Sequence, residues 1–256
     1  MENSELMEKL MAKASASGWG ETIRTVVYAV ILALGVRTFA YEPFNIPSGS
    51  MIPTLLIGDY LFVSKYSYGY SRYSLPFSPP IISGRIMASQ PERGDVVVFK
   101  LPRDNETDYI KRLIGLPGDR IQVRGGILHI NGKPVGRELV ATEEIPDYRD
   151  LGPRLKQYIE TLPNGRTHAI WEESDGLYLD NTPEYLVPPG HYFFMGDNRD
   201  NSQDSRVMEL VGFVPFENLI GRAEFLFFSQ DERAPLWQFW RWPAAIRWGR
   251  IFDGIG

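Results

Sequence analysis

The sequence predicts a mainly β fold, in which an N-terminal transmembrane helix precedes an antiparallel β-rich core with a second β-rich insert. Three observations predict it. The segment Thr22–Tyr41 is apolar and carries only two charged residues. Two-residue hairpin signals, Gly125-Gly126 and Asn131-Gly132, separate short runs of strand-forming residues. Helical periodicity is scarce from residue 43 until the C-terminus, which favours an antiparallel sheet over a parallel α/β one.

The apolar segment is long enough to cross a membrane. As a helix it would reach roughly 30 Å, the thickness of a bilayer core, and Arg24 and Arg37 near its ends can reach the interface. Its charge-free centre, Thr25–Val36, would also fit a buried core helix or a signal-peptide core. Because no small-residue cleavage site follows at 36–43, we expect a retained span over residues 21–41, with the buried helix as the alternative.

Basic residues indicate the orientation of the span. Residues 1–20 are polar, with an amphipathic pattern that favours a short surface helix. Lys9, Lys13 and Arg24 precede the charge-free centre of the apolar segment and only Arg37 lies at its exit, and basic residues collect on the cytoplasmic side of membranes. We therefore expect residues 1–20 in the cytoplasm and the body of the chain on the outer side.

Short strands are predicted after the span. Asp95–Lys100 is an apolar run between Arg93-Gly94 and Leu101-Pro102, which is typical of a buried strand. The Gly-Gly and Asn-Gly turns predict a meander of three strands, namely Ile121–Arg124, Ile127–Ile130 and Lys133–Val135. Two polar or Pro-rich stretches, 66–91 and 137–182, are predicted to leave the sheet.

The composition excludes several function classes. The chain of 256 residues has no cysteine and three histidines, which excludes a disulfide scaffold, a thiol enzyme and a zinc ribbon; we expect no metal site and no cofactor. With 27 Lys and Arg against 32 Asp and Glu, the net charge is −5. A nucleic-acid binder would carry a basic stripe that neutralises phosphates, so nucleic acid is not an expected partner.

A candidate nucleophile follows the span directly. Ser48 and Ser50 flank Gly49 between two prolines. Gly49 lets the backbone turn tightly, so Ser50 can project as a nucleophile while Ser48 places a second hydroxyl near the same substrate oxygen. A plain turn that joins the helix to a strand fits the same string. The string contains no histidine that could serve as a base.

A candidate base lies in the next polar string. On a strand, Tyr109 and Lys111 face one side while Ile110 and Arg112 face the other. An amine pressed against apolar neighbours loses hydration, which lowers its pKa. To act as a neutral base, Lys111 needs a pKa about three units below 10.4, equivalent to about 4 kcal/mol. A solvated basic pair near a turn is the alternative.

A third string, Met195–Arg206, is rich in Asp and Asn. Such residues could bind a cation, but this string departs from the EF-hand loop because its glycine comes first and no glutamate stands at its end. Arg199 and Arg206 would compete with a metal ion. We therefore expect arginines that pair with buried carboxylates in this string.

The C-terminal stretch combines aromatic and basic residues. Residues 236–250 hold four of the six Trp in the chain, and three Arg without an acid. Trp prefers the headgroup region of a bilayer and Arg its anionic lipids, which predicts a membrane-interface segment over 233–256. Packing of a terminal helix on the body is the alternative.

Together these strings resemble the type I signal peptidases, the membrane-bound Ser-Lys proteases that remove signal peptides from exported proteins. The shared motifs are PSGSM-x-PTL at 47–55, GDYLFVSKYSYG at 58–69, RGDVVVFK at 93–100, YIKRLIGLPGD at 109–119 and GDNRDNSQDSR at 196–206. They occur in the family's order after an N-terminal span and extend over most of residues 20–206, so the resemblance is specific.

The resemblance implies roles for the matched residues. Ser50 would be the acylating nucleophile and Lys111 the neutral base, while the Ser48 hydroxyl and the Ser50 N–H would form the oxyanion hole. Ser202 would orient the lysine. Ion-paired side chains would brace the site, namely those of Arg112, Asp197, Asp204 and Arg206. Apolar pockets for small substrate side chains would be lined by Phe44, Ile46, Met51, Tyr109 and Ile110.

The resemblance also implies an architecture and a location. A catalytic β core over 42–125 and 190–232 would carry the insert over 126–189. The substrates would be exported preproteins, cut after small residues, and the partners the lipid bilayer and the translocation machinery. The location would be the bacterial inner membrane, with the N-terminus in the cytoplasm and the catalytic domain on the outer, periplasmic side.

Two other function classes remain open. A soluble Ser-Lys self-cleaving repressor shares the dyad, but it would carry a DNA-binding helical domain in place of the span. A non-enzymatic, membrane-tethered β-rich adaptor would use the polar motifs only to stabilise turns.

Overall fold

The computed structural model describes residues 2–143, 155–231, 240 and 242–256, and begins with a long helix. Helix α1, Glu2–Phe39, is continuous, so the surface helix and the span predicted separately form one helix. No proline interrupts it, and a nucleated helix extends at one hydrogen bond per residue. Its part Trp19–Phe39 has a mean hydropathy of 1.5 and is long enough to cross a membrane. The helix ends before Pro43, which disfavours helical backbone at the preceding residue.

Fourteen strands follow in the described part of the chain. They are β1 Tyr41–Asn45, β2 Asp59–Ser64, β3 Val96–Lys100, β4 Asp108–Gly115, β5 Arg120–Arg124, β6 Ile127–Ile130, β7 Lys133–Pro134, β8 Gly136–Glu143, β9 Leu155–Thr161, β10 Thr167–Glu172, β11 Tyr185–Leu186, β12 His191–Met195, β13 Val214–Pro215 and β14 Leu219–Ser229. All named strand pairs are antiparallel. The mainly β, antiparallel prediction is therefore confirmed.

The largest sheet has seven strands in the order β1-β2-β14-β3-β4-β12-β13. In its middle strand, Val96 and Val98 pack into one buried cluster, while Val97 and Phe99 pack into another on the opposite face. Because β3 is covered on both faces, its sequence is a continuous apolar run rather than an alternating one. The sheet places β4 near its centre, where long side chains can be held away from water.

The predicted meander forms a second sheet of four strands, in the order β11-β5-β6-β7. Both turns have positive φ at each of their two residues, 54° and 73° at Gly125 and Gly126, and 54° and 77° at Asn131 and Gly132. These values are what primed hairpin turns require, and they confirm the hairpin prediction. The predicted core boundary at residue 126 falls inside this sheet, between β5 and β6, and the division into core and insert stays a prediction.

A third sheet, in the order β10-β9-β8, lies against the polar string at 196–206. The N–H of Trp171 donates to the carbonyl of Asp197 at 2.8 Å, and the N–H of Arg199 donates to the carbonyl of Trp171 at 2.9 Å. On the same side Ile52 packs with Leu155 and Trp171. The third sheet thus supports the backbone on either side of Ser50 and Asn198.

The C-terminal end follows β14. The N–H of Phe252 donates to the carbonyl of Leu226 at 2.7 Å, and the Arg250 guanidinium contacts the buried Asp59 carboxylate at 2.6 Å. Residues 250–252 therefore contact the body, and the packing of a terminal helix on it stays a prediction. Residues 232–239 and 241 lie outside the described residues, and a membrane-interface role for 233–256 stays a prediction.

Candidate active site

A cleft of about 1090 Å³ opens beside β4. One wall is the segment 44–50, which runs from β1 through the Ser-Gly-Ser turn. The opposite wall is the first half of β4, at 108–111, and a third side is formed by the loop 198–203. Ser48, Ser50 and Lys111 all line this cleft, so the fold brings the predicted nucleophile and the predicted base into one cavity.

Ser50 lies in a short 3₁₀ turn, Gly49–Met51. Ser50 is almost fully buried, and the Ser48 hydroxyl oxygen lies 3.5 Å from the Ser50 hydroxyl oxygen. Asn198 holds this turn from outside: its N–H donates to the carbonyl of Ser50 at 3.2 Å and its side-chain amide to the carbonyl of Gly49 at 3.1 Å. No local pattern predicts that Asn198 supports this turn, because the two segments are far apart in the chain.

Lys111 reaches the nucleophile from β4. Its Nζ lies 2.7 Å from Ser50 Oγ and 2.9 Å from the carbonyl oxygen of Ile110, and the side chain is 4% exposed. The ammonium also lies 5.3 Å from the centre of the Tyr109 ring, which is on the same face of the strand. Lys111 Nζ and Ser50 Oγ are therefore close enough for direct proton transfer.

The site changes the acidity of the lysine. Burial lowers the pKa of Lys111 from 10.5 to about 8, because the charged form loses its hydration. The carboxylates of Asp204 and Asp197 oppose this shift, since each favours the ammonium form. The result is an amine of which a sizeable fraction is neutral at mildly alkaline pH, as a general base requires.

Arg112, the neighbour of Lys111, faces the other side of β4. Its Nε and one terminal nitrogen donate to both carboxylate oxygens of Asp197, at 2.8 and 2.7 Å, and both side chains are 1% exposed. Thr54 adds a hydroxyl that donates to the same carboxylate at 2.6 Å. Burial alone would raise the pKa of Asp197, but the charge and hydrogen bonds of Arg112 outweigh it and hold that pKa below its usual range.

A second buried ion pair lies within the polar string. Arg206 donates to both oxygens of Asp204, at 2.9 and 2.8 Å. The N–H of Gly196 also donates to Asp204, at 3.0 Å. Burial alone would raise the pKa of this carboxyl, and the Arg206 charge instead lowers it. These contacts show the arginine–carboxylate pairing expected of this string, and they hold two negative charges near Lys111.

Ser202 lies beside the nucleophile without a hydrogen bond to the lysine. Its hydroxyl is buried and has no hydrogen-bond partner among the described residues. Ser202 and Ser50 both pack against the backbone of Gly196. A side chain at residue 196 would collide with the Ser202 hydroxyl, and its Cβ would lie 2.5 Å from the Ser50 carbonyl oxygen. The predicted role of Ser202 in orienting Lys111 stays a prediction.

Four of the five predicted substrate-binding residues line the cleft, namely Phe44, Ile46, Tyr109 and Ile110. The structure places the fifth, Met51, elsewhere. Its side chain is fully buried in the cluster that includes Leu55 and Leu61. The 3₁₀ turn that exposes Ser50 to the cleft directs the next side chain into the core instead.

One buried charge network was not expected from the sequence. Arg199 donates to both oxygens of Glu160 on β9, at 2.8 and 2.5 Å, and the ring of His168 on β10 lies 3.4 Å from the same carboxylate. The Glu160 side chain is 1% exposed. The polar string predicts that Arg199 pairs with a carboxylate, but no local pattern points to Glu160, 39 residues earlier.

The part of the chain that the structure describes contains no group of three His, Asp or Glu side chains that could hold a metal ion. The buried carboxylates of the site are each held by an arginine.

Comparisons with known proteins place this arrangement in context. The model of the family described as signal peptidase, peptidase S26, matches residues 19–228. The signal peptidase I of Rickettsia canadensis is 47% identical over 225 residues, covering 85% of this chain and 81% of the relative. That of Rickettsia akari is 49% identical over 210 residues, covering 79% and 77%. The crystal structure of a signal peptidase I from Enterococcus faecalis is 28% identical, with a TM-score of 0.30, and covers 52% of this chain and 97% of its own.

Proposed function

Because this chain belongs to the signal peptidase family, peptidase S26, we propose that it cuts preproteins by acylation of Ser50, with Lys111 as the general base. As a signal peptidase it removes signal peptides, which excludes the non-enzymatic adaptor and argues against the self-cleaving repressor. The single observation that carries the dyad is the 2.7 Å distance between Lys111 Nζ and Ser50 Oγ inside a buried cleft.

The chemistry proceeds through acylation and deacylation, and in each step Lys111 first accepts a proton and then returns it. Neutral Lys111 takes the proton of Ser50 as Oγ attacks the scissile carbonyl, and the resulting ammonium returns that proton to the leaving amine. The signal peptide then remains as an ester on Ser50. Water, deprotonated by the same amine, hydrolyses the ester and regenerates both side chains. Because one group both accepts and donates the proton, its pKa must lie near the working pH.

Two donors would stabilise the tetrahedral intermediate. The backbone N–H of Ser50 and the hydroxyl of Ser48 lie on the same turn, and the Ser48 oxygen is 3.5 Å from the attacking oxygen. Donors that are already in place cost little reorganisation when charge develops on the substrate oxygen. The hydrogen bonds from Asn198 to this turn support such preorganisation.

The free edge of β4 offers a place for the substrate backbone. β12 pairs with β4 from Arg112 to Gly115, and β3 pairs with β4 on its other edge. On the β12 side, β4 has no named partner strand over Asp108–Lys111. These residues line the cleft. We infer that the substrate binds there as an extended strand. The half-buried ring of Phe44 and the side chain of Ile110 give this part of the cleft an apolar lining, and we propose that they contact the small substrate side chains before the cut.

The helix sets where this cleft works. The apolar part of α1 spans Trp19–Phe39, and β1 begins two residues later. From Tyr41 to Ser50 the chain reaches at most about 30 Å when extended. We propose that α1 crosses the bacterial inner membrane with its N-terminus in the cytoplasm, and that the cleft lies on the outer side close to the bilayer. The translocation machinery remains an expected partner.

Substitution of Ser50 tests the nucleophile. Ser50→Ala is expected to abolish cleavage of a signal-peptide-bearing precursor by the full chain in detergent micelles, since no oxygen remains to attack. The measurement is the amount of mature protein on a gel, with the cut site read by mass spectrometry. Ser89→Ala makes the same change at an exposed residue outside the cleft and should leave the rate unchanged.

An ester on Ser50 is a second readout of the same step. Acid quenching of the wild-type reaction should yield protein that carries the mass of the released signal peptide on the peptide containing Ser50. Cleavage by Ser50→Ala at the wild-type rate, or an adduct on another residue, would show that Ser50 is not the nucleophile.

The rate should follow the titration of Lys111. Only the neutral amine can accept the Ser50 proton, so kcat/KM is expected to fall about tenfold per pH unit below the pKa and to level off above it. That pKa is about 8. Asp204→Asn removes the charge that most favours the ammonium form, so the midpoint should move to lower pH. Glu184→Gln, the same change in an exposed ion pair, should leave it in place. A midpoint that stays fixed or rises in Asp204→Asn contradicts the assignment.

A further inference from the structure

An apolar loop lies close to the end of α1. It comprises residues 73–87, within the stretch predicted to leave the sheet. Four large apolar side chains of this loop are exposed; they are Phe77 at 104%, Ile81 at 76%, Ile86 at 53% and Met87 at 79%. Removing large apolar side chains from water is favourable, so several of them exposed on one loop indicate a contact surface whose partner is elsewhere.

The apolar loop is attached to the outer end of the helix. The Tyr70 hydroxyl donates to the carbonyl of Phe39 at 2.7 Å, and the two rings meet edge to face with centres 5.8 Å apart. Tyr70 in turn forms an antiparallel bridge with Ile86, in which each N–H donates to the other's carbonyl, at 2.9 and 2.8 Å. Tyr70 therefore links Ile86 to Phe39, the last residue of α1.

Aromatic rings with hydroxyl groups surround the same end of the helix. The Tyr41 and Tyr66 hydroxyls are 2.8 Å apart, and their rings are in edge-to-face contact. Tyrosine is enriched where hydrocarbon gives way to headgroups, because its ring is apolar and its hydroxyl remains hydrated. Together with Tyr70, these residues mark the level at which α1 would leave the bilayer, and the base of the apolar loop lies at that level.

The loop presents no charge that would keep it in water. Residues 73–84 contain no charged side chain. Arg85 directs its guanidinium inward, where it donates to the backbone carbonyls of Gly69 at 2.7 Å and Phe216 at 2.9 Å. The loop contains three prolines, Pro76, Pro79 and Pro80, which have no backbone N–H. The loop therefore has fewer donors that would lose a hydrogen bond to water on entering a poorly hydrated environment.

We propose that the apolar loop inserts into the headgroup and upper acyl region of the lipid bilayer beside α1. This inference rests on the proposed membrane span. The helix alone would tie the body to the bilayer only at the end of α1. A second contact at the apolar loop would hold the body in one orientation, with the cleft at a constant distance from the membrane surface.

The absence of cysteine allows a direct test with the full chain. Ile81→Cys is labelled with a nitroxide, and the protein is placed in vesicles of phosphatidylethanolamine and phosphatidylglycerol. Electron paramagnetic resonance then compares collisions with oxygen, which concentrates in lipid, and with a nickel chelate, which stays in water. Leu32→Cys, in the apolar part of α1, is the lipid reference, and Leu186→Cys, an exposed apolar side chain on β11, is the water reference.

The label at 81 is expected to show an oxygen-to-nickel collision ratio several-fold above that at 186 and close to that at 32. The same result at Phe77→Cys would extend the contact along the loop. A ratio at 81 equal to that at 186, with a high ratio at 32, overturns the loop proposal and leaves the span intact. A low ratio at 32 contradicts the membrane span itself. Shielding of 81 from both reagents indicates contact between copies of the protein and also overturns the proposal.

Discussion

Replacing Lys111 by methionine is expected to lower the rate of precursor cleavage by at least about 10⁴-fold, because Ser50 loses the group that accepts its proton. Methionine keeps the unbranched apolar stem and fills most of the same space in the buried site, so the loss should appear in kcat with little change in stability. The measurement is single-turnover cleavage at pH 8.5, alongside thermal unfolding. Lys133→Met makes the same change on β7, outside the cleft, and should cleave at the wild-type rate.

Chemical restoration of the amine gives a sharper version of this test. The chain has no cysteine, so Lys111→Cys carries a single thiol. Alkylation with bromoethylamine rebuilds an amine at nearly the original length, whereas iodoacetamide adds an amide that cannot accept a proton at this pH. We expect activity to return only with the amine. Equal activity of the two alkylated proteins, or a normal rate for Lys111→Met, would remove Lys111 from the mechanism.

Substitution of Asp197 by alanine is expected to destabilise the protein by about 3–5 kcal/mol, because Arg112 would remain charged and buried without its partner. For a body of this size such a loss corresponds to a decrease in Tm of about 6–20 °C. Thermal unfolding of the full chain in detergent, followed by tryptophan fluorescence, measures it. Asp108→Ala is the matched control, since the Asp108 side chain is 40% exposed and ion pairs at the surface contribute about 0–1 kcal/mol.

The origin of this loss can be separated from packing effects. The double variant Arg112→Met and Asp197→Leu removes both charges and replaces them with apolar groups, and it should recover much of the lost Tm. If the unpaired charge of Arg112 causes the loss, the Tm of the double variant rises above that of Asp197→Ala. If lost packing causes it, the Tm of the double variant falls further. A decrease for Asp197→Ala no larger than that for Asp108→Ala would contradict a structural role for the buried pair.

Local patterns predict the elements of the fold well where each depends on neighbouring residues. The apolar part of α1 follows from consecutive apolar residues, and the two hairpins follow from Gly-Gly and Asn-Gly, whose positive φ values the structure confirms. The continuous run Val96–Phe99 predicted a buried strand, and β3 is buried on both faces. The continuity of α1 was missed, because residues 1–20 are polar and their periodicity alone did not extend to the span.

The candidate site was predicted less completely, since it depends on which distant segments meet. Met51 follows Ser50 directly, yet the 3₁₀ turn directs its side chain into the core rather than the cleft. Glu160 and His168 form a buried network with Arg199 although their own strand patterns are ordinary. Asn198 holds the turn at Ser50 across 149 residues of sequence. No local signal encodes such partners.

The sequence by itself determined the chemistry that is available: an apolar N-terminal helix, a serine after a glycine turn, and lysine as the candidate base in a chain without cysteine and with three histidines. Only the tertiary structure decided that Lys111 Nζ lies 2.7 Å from Ser50 Oγ, 61 residues away, and that the amine is buried enough for its pKa to be about 8. The physical reason is that residue type and spacing act along the chain, whereas proximity and desolvation depend on how distant segments pack, here β4 against the turn that follows β1.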